Sequence, residues 1–183
     1  MTEAPGGPRA LDGAALALVA EGCTRSGVVW VRPEGGDRHH LAWHVWHENA
    51  VHVVSGGGEQ ELPALTGGVE VVVPSKDSGS RLATLLAEGR VLAPGTGEWT
   101  AAVQVLAAKR LNERDPGEQR DRWARTSTVT RLEPVRVLGA GAGDDATPAG
   151  VVRPPAEGST TGARPWHLGG RSRRRRRDRP GVH

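Results

Sequence analysis

The sequence predicts a mainly β domain over residues 9–139, with six antiparallel strands, an N-terminal helix and a pair of helices before the last strand. Short runs of valine and other apolar residues alternate with clusters of Gly, Pro, Asp and Asn, which is typical of strands joined by tight turns. Helical spacing of apolar residues is confined to a few segments. Because six strands in an open sheet would leave exposed edges, we expect the sheet to close into a small barrel.

The first predicted element is a short amphipathic helix that follows Pro8 and ends at Gly22. Its apolar face is formed by Leu11, Ala15, Leu18 and Val19. After Ser26 the apolar pattern changes to a period of two, which predicts the first strand. The six predicted strands cover residues 28–31, 40–47, 51–55, 69–73, 82–92 and 128–137.

Glycine and polar residues mark the breaks between these strands. Turns are predicted at residues 34–37, 48–49 and 76–79. Three consecutive glycines, Gly56 to Gly58, end the third strand, and residues 59–65 are expected to form a short helical turn interrupted by Pro63. Gly89 lies inside the fifth strand, where it predicts a β-bulge.

Two helices are predicted before the last strand. The first carries one apolar stripe, which consists of Trp99, Val103, Leu106, Ala107 and Leu111. The second begins with Asp115 as N-cap and Pro116 at the first helical position, and Glu118 follows three residues after the cap. Because the chain lacks Phe and Tyr, we expect its six tryptophans to supply the aromatic part of the core.

Both ends of the chain are predicted to be disordered: residues 1–8, and the Gly/Pro/Arg-rich tail over residues 140–183. The tail carries Arg171, Arg173, Arg174, Arg175, Arg176, Arg177 and Arg179. Without these arginines and Asp178, 17 basic and 20 acidic residues remain, a net charge of −3. The domain itself therefore has no general attraction for nucleic acid, and any such contact through Arg171 to Arg179 would be unspecific and salt-sensitive. The alternative is a solvated extension without function.

Composition also bears on the source and the compartment. Phe, Tyr and Ile are absent, and 22 arginines stand against two lysines, which indicates a GC-rich genome such as that of an actinobacterium. The single cysteine, Cys23, has no partner for an internal disulfide, in keeping with a reducing cytoplasm. We expect no secretory signal and no membrane span, because no long apolar run occurs.

Five histidines crowd one predicted hairpin: His39, His40, His44, His47 and His52. Alternation points His44 and His47 to opposite faces of a strand, and no carboxylate lies at ligand spacing beside them. We therefore expect exposed or hydrogen-bonded histidines and no metal. Trp43 and Trp46 also fall on opposite faces, so at least one indole is expected to line either a ligand site or a dimer interface.

The order of these elements resembles the split β-barrel family of pyridoxamine 5′-phosphate oxidase-like flavin-binding proteins, in an actinobacterial branch. The resemblance covers residues 9–138 and includes the segments 26–31, 43–46, 53–57, 75–77, 81–82, 110–112, 122–123 and 130–134. It implies a six-stranded split barrel that forms a homodimer, with FMN or a deazaflavin in the cleft between subunits.

The resemblance also implies where the cofactor would bind. It places the phosphate where the third strand ends, near Ser55, Gly56, Gly57, Lys76 and Arg81, and puts Trp43 or Trp46 against the ring. The Arg-Lys pair usual in the family is missing here, and Glu59 and Glu61 stand in its place, where they would repel a phosphate.

Three hypotheses follow from the sequence. The chain is a flavin-dependent oxidoreductase, a non-catalytic split-barrel dimer without cofactor, or a protein that associates with nucleic acid through its tail. No residue stands out as a general acid or base, and the sequence does not indicate the substrate.

Overall fold

A computed structural model of the chain describes residues 9–76, 80–110 and 116–140. They form one antiparallel sheet and three helices. The strands are β1 (Arg9–Ala10), β2 (Val28–Pro33), β3 (His40–Trp43), β4 (Val45–His47), β5 (Ala50–Ser55), β6 (Gly67–Pro74), β7 (Arg81–Val91) and β8 (Thr128–Ala140). The helices are α1 (Gly13–Arg25), α2 (Gly97–Lys109) and α3 (Pro116–Thr126). The mainly β fold class is confirmed, and the three predicted helices are present. The structure has eight strands instead of the predicted six, because Arg9–Ala10 forms an additional strand and the predicted strand over residues 40–47 is divided.

The sheet closes on itself at a single residue. Its strand order is β3-β2-β6-β7-β8-β5-β4, with β1 paired to β8. The two strands at the ends of this order, β3 and β4, are separated in the sequence only by His44. The chain thereby holds the two ends of the sheet together, and the curled sheet is a split barrel.

At this split, between β3 and β4, the side chain of Gln60 makes hydrogen bonds in place of those between paired strands. The backbone N–H of Trp43 donates to Oε1 of Gln60 at 2.8 Å, and Nε2 of Gln60 donates to the carbonyls of Trp43 and Val54, both at 3.0 Å. The imidazole of His44 is buried and donates from Nε2 to the carbonyl of Cys23 at 3.1 Å. The predicted strand over residues 40–47 is therefore two strands, because His44 turns into the core of the barrel.

Two apolar clusters stabilise the fold. The first fills the barrel beneath α1 and includes Val19, Val29, Val31, Val53, Val71, Leu85 and Leu132. The second lies between the sheet and the helix pair and includes Val54, Leu92, Trp99, Val103, Leu106, Trp123 and Val129. Val53 and Val54 belong to different clusters, so β5 is buried on both faces.

Gly22 and Gly89 allow close packing, and the predictions that Gly22 ends α1 and that Gly89 forms a bulge are wrong. Helix α1 continues past Gly22 to Arg25, and a Cβ at Gly22 would lie 2.6 Å from Leu82. Gly89 is not a bulge, since it pairs regularly with β6 and β8, and a Cβ there would lie 2.1 Å from the carbonyl oxygen of Leu65. The register shifts of β7 against β8 fall earlier, on either side of residues 85–86.

Other local predictions have mixed outcomes. The turn between β4 and β5 is confirmed, with Glu48 and Asn49 at φ values of 47° and 57°, as a two-residue hairpin requires. The helical turn predicted over residues 59–65 is wrong, because that segment is not helical. The predicted N-cap Asp115, the last three residues of the turn predicted over residues 76–79, and the arginine tail lie outside the described residues.

The tryptophans supply less of the core than expected. Trp99 and Trp123 are buried in the second cluster, Trp43 and Trp46 are half-buried, and Trp30 is 42% exposed. Among the helices that the structure describes, none is long and apolar enough to cross a membrane.

Candidate functional site

The three glycines after β5, residues 56–58, form a tight corner against the end of α3. All three have positive φ values, of 73°, 61° and 88°. The hydroxyl of Ser127 donates to the carbonyl of Gly56 at 3.1 Å, and a Cβ at Gly57 would lie 2.5 Å from the hydroxyls of Thr126 and Ser127. The corner therefore packs closely on its own chain and is not the start of a helix that could offer free N–H groups to a phosphate.

Glu59 is buried and bound by cationic and polar groups. Trp123 donates from Nε1 to Oε1 of Glu59 at 3.0 Å, and Nη2 of Arg122 donates to the same oxygen at 3.2 Å. Nη1 of Arg110 lies 2.8 Å from Oε2. The expected repulsion of an anion by Glu59 is wrong, since two arginines more than neutralise this carboxylate. The charges missing from the local sequence are supplied by residues at the end of α2 and in α3.

Trp43 is linked to this cluster. The guanidinium carbon of Arg110 lies 5.6 Å from the centroid of the Trp43 ring, within cation–π range. Trp43 packs against the second apolar cluster, whereas Trp46 packs against the barrel core. The predicted placement of the two indoles on opposite faces is therefore confirmed.

Ser55 lines a cavity of about 360 Å³ beside the glycine corner, which we call the Ser55 cavity. It is lined by Ser55, Leu62, Pro63, Ala64, Leu65, Thr66, Val91, Thr128 and Thr130. Ser55 pairs with Thr128 and Val53 pairs with Thr130, so the hydroxyls of Ser55, Thr128 and Thr130 project from the same face of β5 and β8. None of the nine lining residues is charged. The cavity suits an uncharged ring with polar edges, because its hydroxyls stand among apolar side chains.

Lys76 and Arg81 lie at the other end of the sheet. Arg81 begins β7 and pairs with Pro74, whereas Val91, which lines the Ser55 cavity, ends the same strand. The two residues are ten positions apart, about 30 Å of extended chain. Lys76 lines a small separate cavity of about 110 Å³ beside α1. One copy of the chain therefore does not bring Lys76 or Arg81 to Ser55, Gly56 and Gly57.

Arg81 instead lines a cavity of about 590 Å³ on the outer side of the sheet, which we call the outer groove. It is lined by Trp30, Arg32, Asp37, His39, Glu70, Val72 and Arg81. Nη2 of Arg32 and Nε2 of His39 both contact the carboxylate of Glu70. Partial burial raises the pKa of Glu70, but the hydrogen bonds from Arg32 and His39 outweigh that effect and hold it below its ordinary value.

Two histidines of the predicted hairpin, His44 and His52, are buried. Burial lowers the pKa of His44 to about 4. Burial, together with the charge of Arg131, lowers the pKa of His52 to about 4 as well. Among the described residues, no group of three His, Cys, Asp or Glu side chains is arranged to hold a metal ion.

Several residues of these sites were not predicted from the sequence. The alternating hydroxyls of Thr128 and Thr130 on the last strand could have been found from its period of two. The sequence pattern does not predict the hydrogen bonds of Gln60 or the outward position of Trp30, because both depend on how distant strands pair.

No protein-family model matches the sequence, and no curated protein matches it. Among solved structures, the chain is similar to the conserved hypothetical protein Rv2991 from Mycobacterium tuberculosis, with a TM-score of 0.50 and 10% identity over 78% of this chain and 90% of that one. It is also similar to HutZ, a haem storage protein from Vibrio cholerae, with a TM-score of 0.47 and 12% identity over 66% of this chain and 92% of that one. A candidate pyridoxamine 5′-phosphate oxidase from Corynebacterium glutamicum has a TM-score of 0.40 and 11% identity over 77% and 99% of the two chains.

At these identities the likeness concerns the fold alone. The strand order and the way the sheet closes agree with it. The chain has a split β-barrel fold, which is the fold that the sequence resemblance implied.

Proposed function

We propose that this protein binds a flavin-type cofactor, FMN or a deazaflavin, and acts as an oxidoreductase. The observation that supports this is the Ser55 cavity, in a split barrel. Its volume of about 360 Å³ lies in the range of small-molecule sites. A flavin ring is planar, with an apolar edge and a polar edge, and the lining of the cavity combines the apolar side chains of Leu62, Leu65 and Val91 with the hydroxyls.

The fit differs between the two parts of the cofactor. The ring fits the uncharged lining, with Ser55, Thr128 and Thr130 as hydrogen-bonding partners. The phosphate does not find a cation among the lining residues. We therefore propose that the protein works as a homodimer, in which Lys76 and Arg81 serve the phosphate of the cofactor held by the other copy.

The chain's own contribution is to bind and orient the ring. Bound flavin supplies the redox chemistry, by accepting or donating a hydride. None of the nine described lining residues is acidic or basic, so a proton that the reaction requires comes from the substrate or from solvent. Thr130 is buried on β8 and lines the cavity.

The test is titration of the full chain with FMN and with a deazaflavin, followed by flavin fluorescence. We expect saturable binding that the double variant Ser55→Ala/Thr130→Val weakens at least tenfold, because two ring-facing hydroxyls are lost. Thr100→Val is the matched control, since Thr100 lies on the exposed face of α2. Saturable binding that the double variant leaves unchanged would refute the proposed site.

A second candidate is a split barrel that binds no cofactor. The close packing of Gly57 on α3 and the bound carboxylate of Glu59 favour it, because both occupy the corner where the sequence resemblance places the phosphate. Absence of binding for both flavins would favour this candidate over the oxidoreductase.

A further inference from the structure

The outer face of the sheet carries an exposed aromatic side chain beside paired charges. Trp30 and Arg32 project from the same face of β2, and they lie opposite Val72 and Glu70 of β6. Trp30 is 42% exposed, and all four residues line the outer groove. The groove therefore has an apolar platform, formed by Trp30 and Val72, and a polar wall, formed by Arg32 and Glu70.

The row that contains the polar wall continues across the sheet. Glu70 pairs with Leu86 of β7, and Leu86 pairs with Arg136 of β8. A second cavity, of about 370 Å³, is lined by Leu86 and Arg136 and shares Arg32 and Glu70 with the outer groove. Because neighbouring strands lie about 4.8 Å apart, β2 and β8 are about 14 Å apart across this face. The two cavities adjoin at the polar wall and together suit an extended ligand.

The charges that line the outer groove balance one another. Nη2 of Arg32 and Nε2 of His39 both contact the carboxylate of Glu70, and the described lining residues include two arginines and two carboxylates. A ligand with a net charge gains little here, because each sign of charge has an opposite charge beside it. A carboxylate accepts several hydrogen bonds and a guanidinium donates several, so Glu70 and Arg32 have acceptors and donors left for a neutral polar ligand.

We propose that the outer groove binds a neutral oligosaccharide, with one sugar ring on the indole of Trp30 and its hydroxyls on Arg32 and Glu70. A sugar ring has a face of C–H groups, which packs on an aromatic ring, and a rim of hydroxyls that both donate and accept hydrogen bonds. The guanidinium of Arg32 and the carboxylate of Glu70 are planar and bonded to each other, so donors and acceptors lie side by side. Neighbouring hydroxyls of a sugar require this arrangement.

A flat aromatic ligand fits this lining less well than a sugar does. Five of the seven residues that line the outer groove are ionisable, whereas sites for apolar rings are lined mainly by apolar side chains. In the Ser55 cavity, none of the nine described lining residues is ionisable. The two sites therefore select different ligands, and oligosaccharide binding in the groove does not require a bound flavin.

The experiment is binding of the full chain to an array of neutral and charged oligosaccharides, followed by calorimetric titration with the neutral member that is retained best. We expect saturable binding. Trp30→Ala removes the platform and Glu70→Gln removes a charged acceptor, so each should raise the dissociation constant at least tenfold. Trp30→Phe keeps a smaller aromatic platform and should raise it less than Trp30→Ala does.

Two variants outside the groove are matched controls. Glu98→Gln changes a carboxylate that is also paired with an arginine, Arg90, and Val135→Ala shortens an apolar side chain that is exposed on β8. Both should leave the dissociation constant unchanged. Circular dichroism and urea unfolding check that Trp30→Ala and Glu70→Gln keep the fold. Because the ligand is neutral, the dissociation constant should be nearly the same at low and at high salt.

Several outcomes would overturn the oligosaccharide site. These are retention of no neutral oligosaccharide, retention that Trp30→Ala leaves unchanged, and binding of charged oligosaccharides alone with a steep salt dependence. Competition with FMN separates the site from the proposed function. Displacement of the oligosaccharide by FMN assigns the groove to flavin and also overturns the proposal, whereas a chain that binds the oligosaccharide but no flavin keeps the groove and rejects the oxidoreductase.

Discussion

The two buried histidines predict how stability depends on pH. Burial lowers the pKa of both His44 and His52 from 6.5 to about 4. The unfolded chain takes up a proton on each ring near pH 6.5, whereas the folded chain does so only near pH 4. The unfolded state thus binds more protons between these values, and the free energy of unfolding decreases as the pH falls through this window.

The size of the effect follows from the two pKa values. Between pH 7 and pH 5 each histidine contributes a loss of about 2 kcal/mol, so the pair contributes about 4 kcal/mol. Glu70 acts in a different range. Its pKa is lowered in the fold, so its contribution is complete above its ordinary pKa and is lost only at lower pH.

Urea unfolding followed by tryptophan fluorescence, at steps between pH 7 and pH 5, measures this loss. His44→Gln keeps a donor for the carbonyl of Cys23 but does not titrate, so it should remove about half of the pH dependence. His40→Gln, at the start of β3, is the control. If His44→Gln has the full pH dependence of the natural chain, the assignment of the effect to the buried ring at the barrel split is incorrect.

Three further predictions concern the glycine corner, Glu59 and the tail. Gly57→Ala should lower the free energy of unfolding by about 2–4 kcal/mol, since a Cβ there contacts the end of α3. Gly58→Ala should lower it by about 1 kcal/mol, because that residue has a positive φ but open space around it. Equal losses for the two variants in chemical unfolding would contradict this. Glu59→Gln should cost about 2 kcal/mol, because it leaves two partly solvated arginines without their carboxylate, and exposed Glu61→Gln should change the unfolding midpoint little. Deletion of residues 171–183 should abolish retention on an RNA or DNA column at low salt, and unchanged retention would reject a nucleic-acid role for the arginines.

Much of the fold was predictable because its signals are local. Alternating valines, turn glycines and a proline at the start of α3 determine the order of strands and helices. The errors come from contacts between distant segments. Gly22 and Gly89 were interpreted as a helix end and a bulge, but both are required by close packing of another segment against them.

The candidate site was less predictable for the same reason. Ser55 follows from its position at the end of a strand, and the structure places it in a cavity. The role of Glu59 did not follow, since Arg110 and Arg122 lie 51 and 63 residues away in sequence. The separation of Arg81 from Ser55 depends on the register of β7, which the sequence pattern does not specify.

The most direct test of the proposed function is the absorbance spectrum of the freshly purified full chain, with mass analysis of any small molecule released on denaturation. We predict a visible band of a flavin or a deazaflavin and a released molecule of matching mass. Colourless protein that also gains no such band after incubation with either cofactor would contradict the proposal that the Ser55 cavity holds a flavin ring.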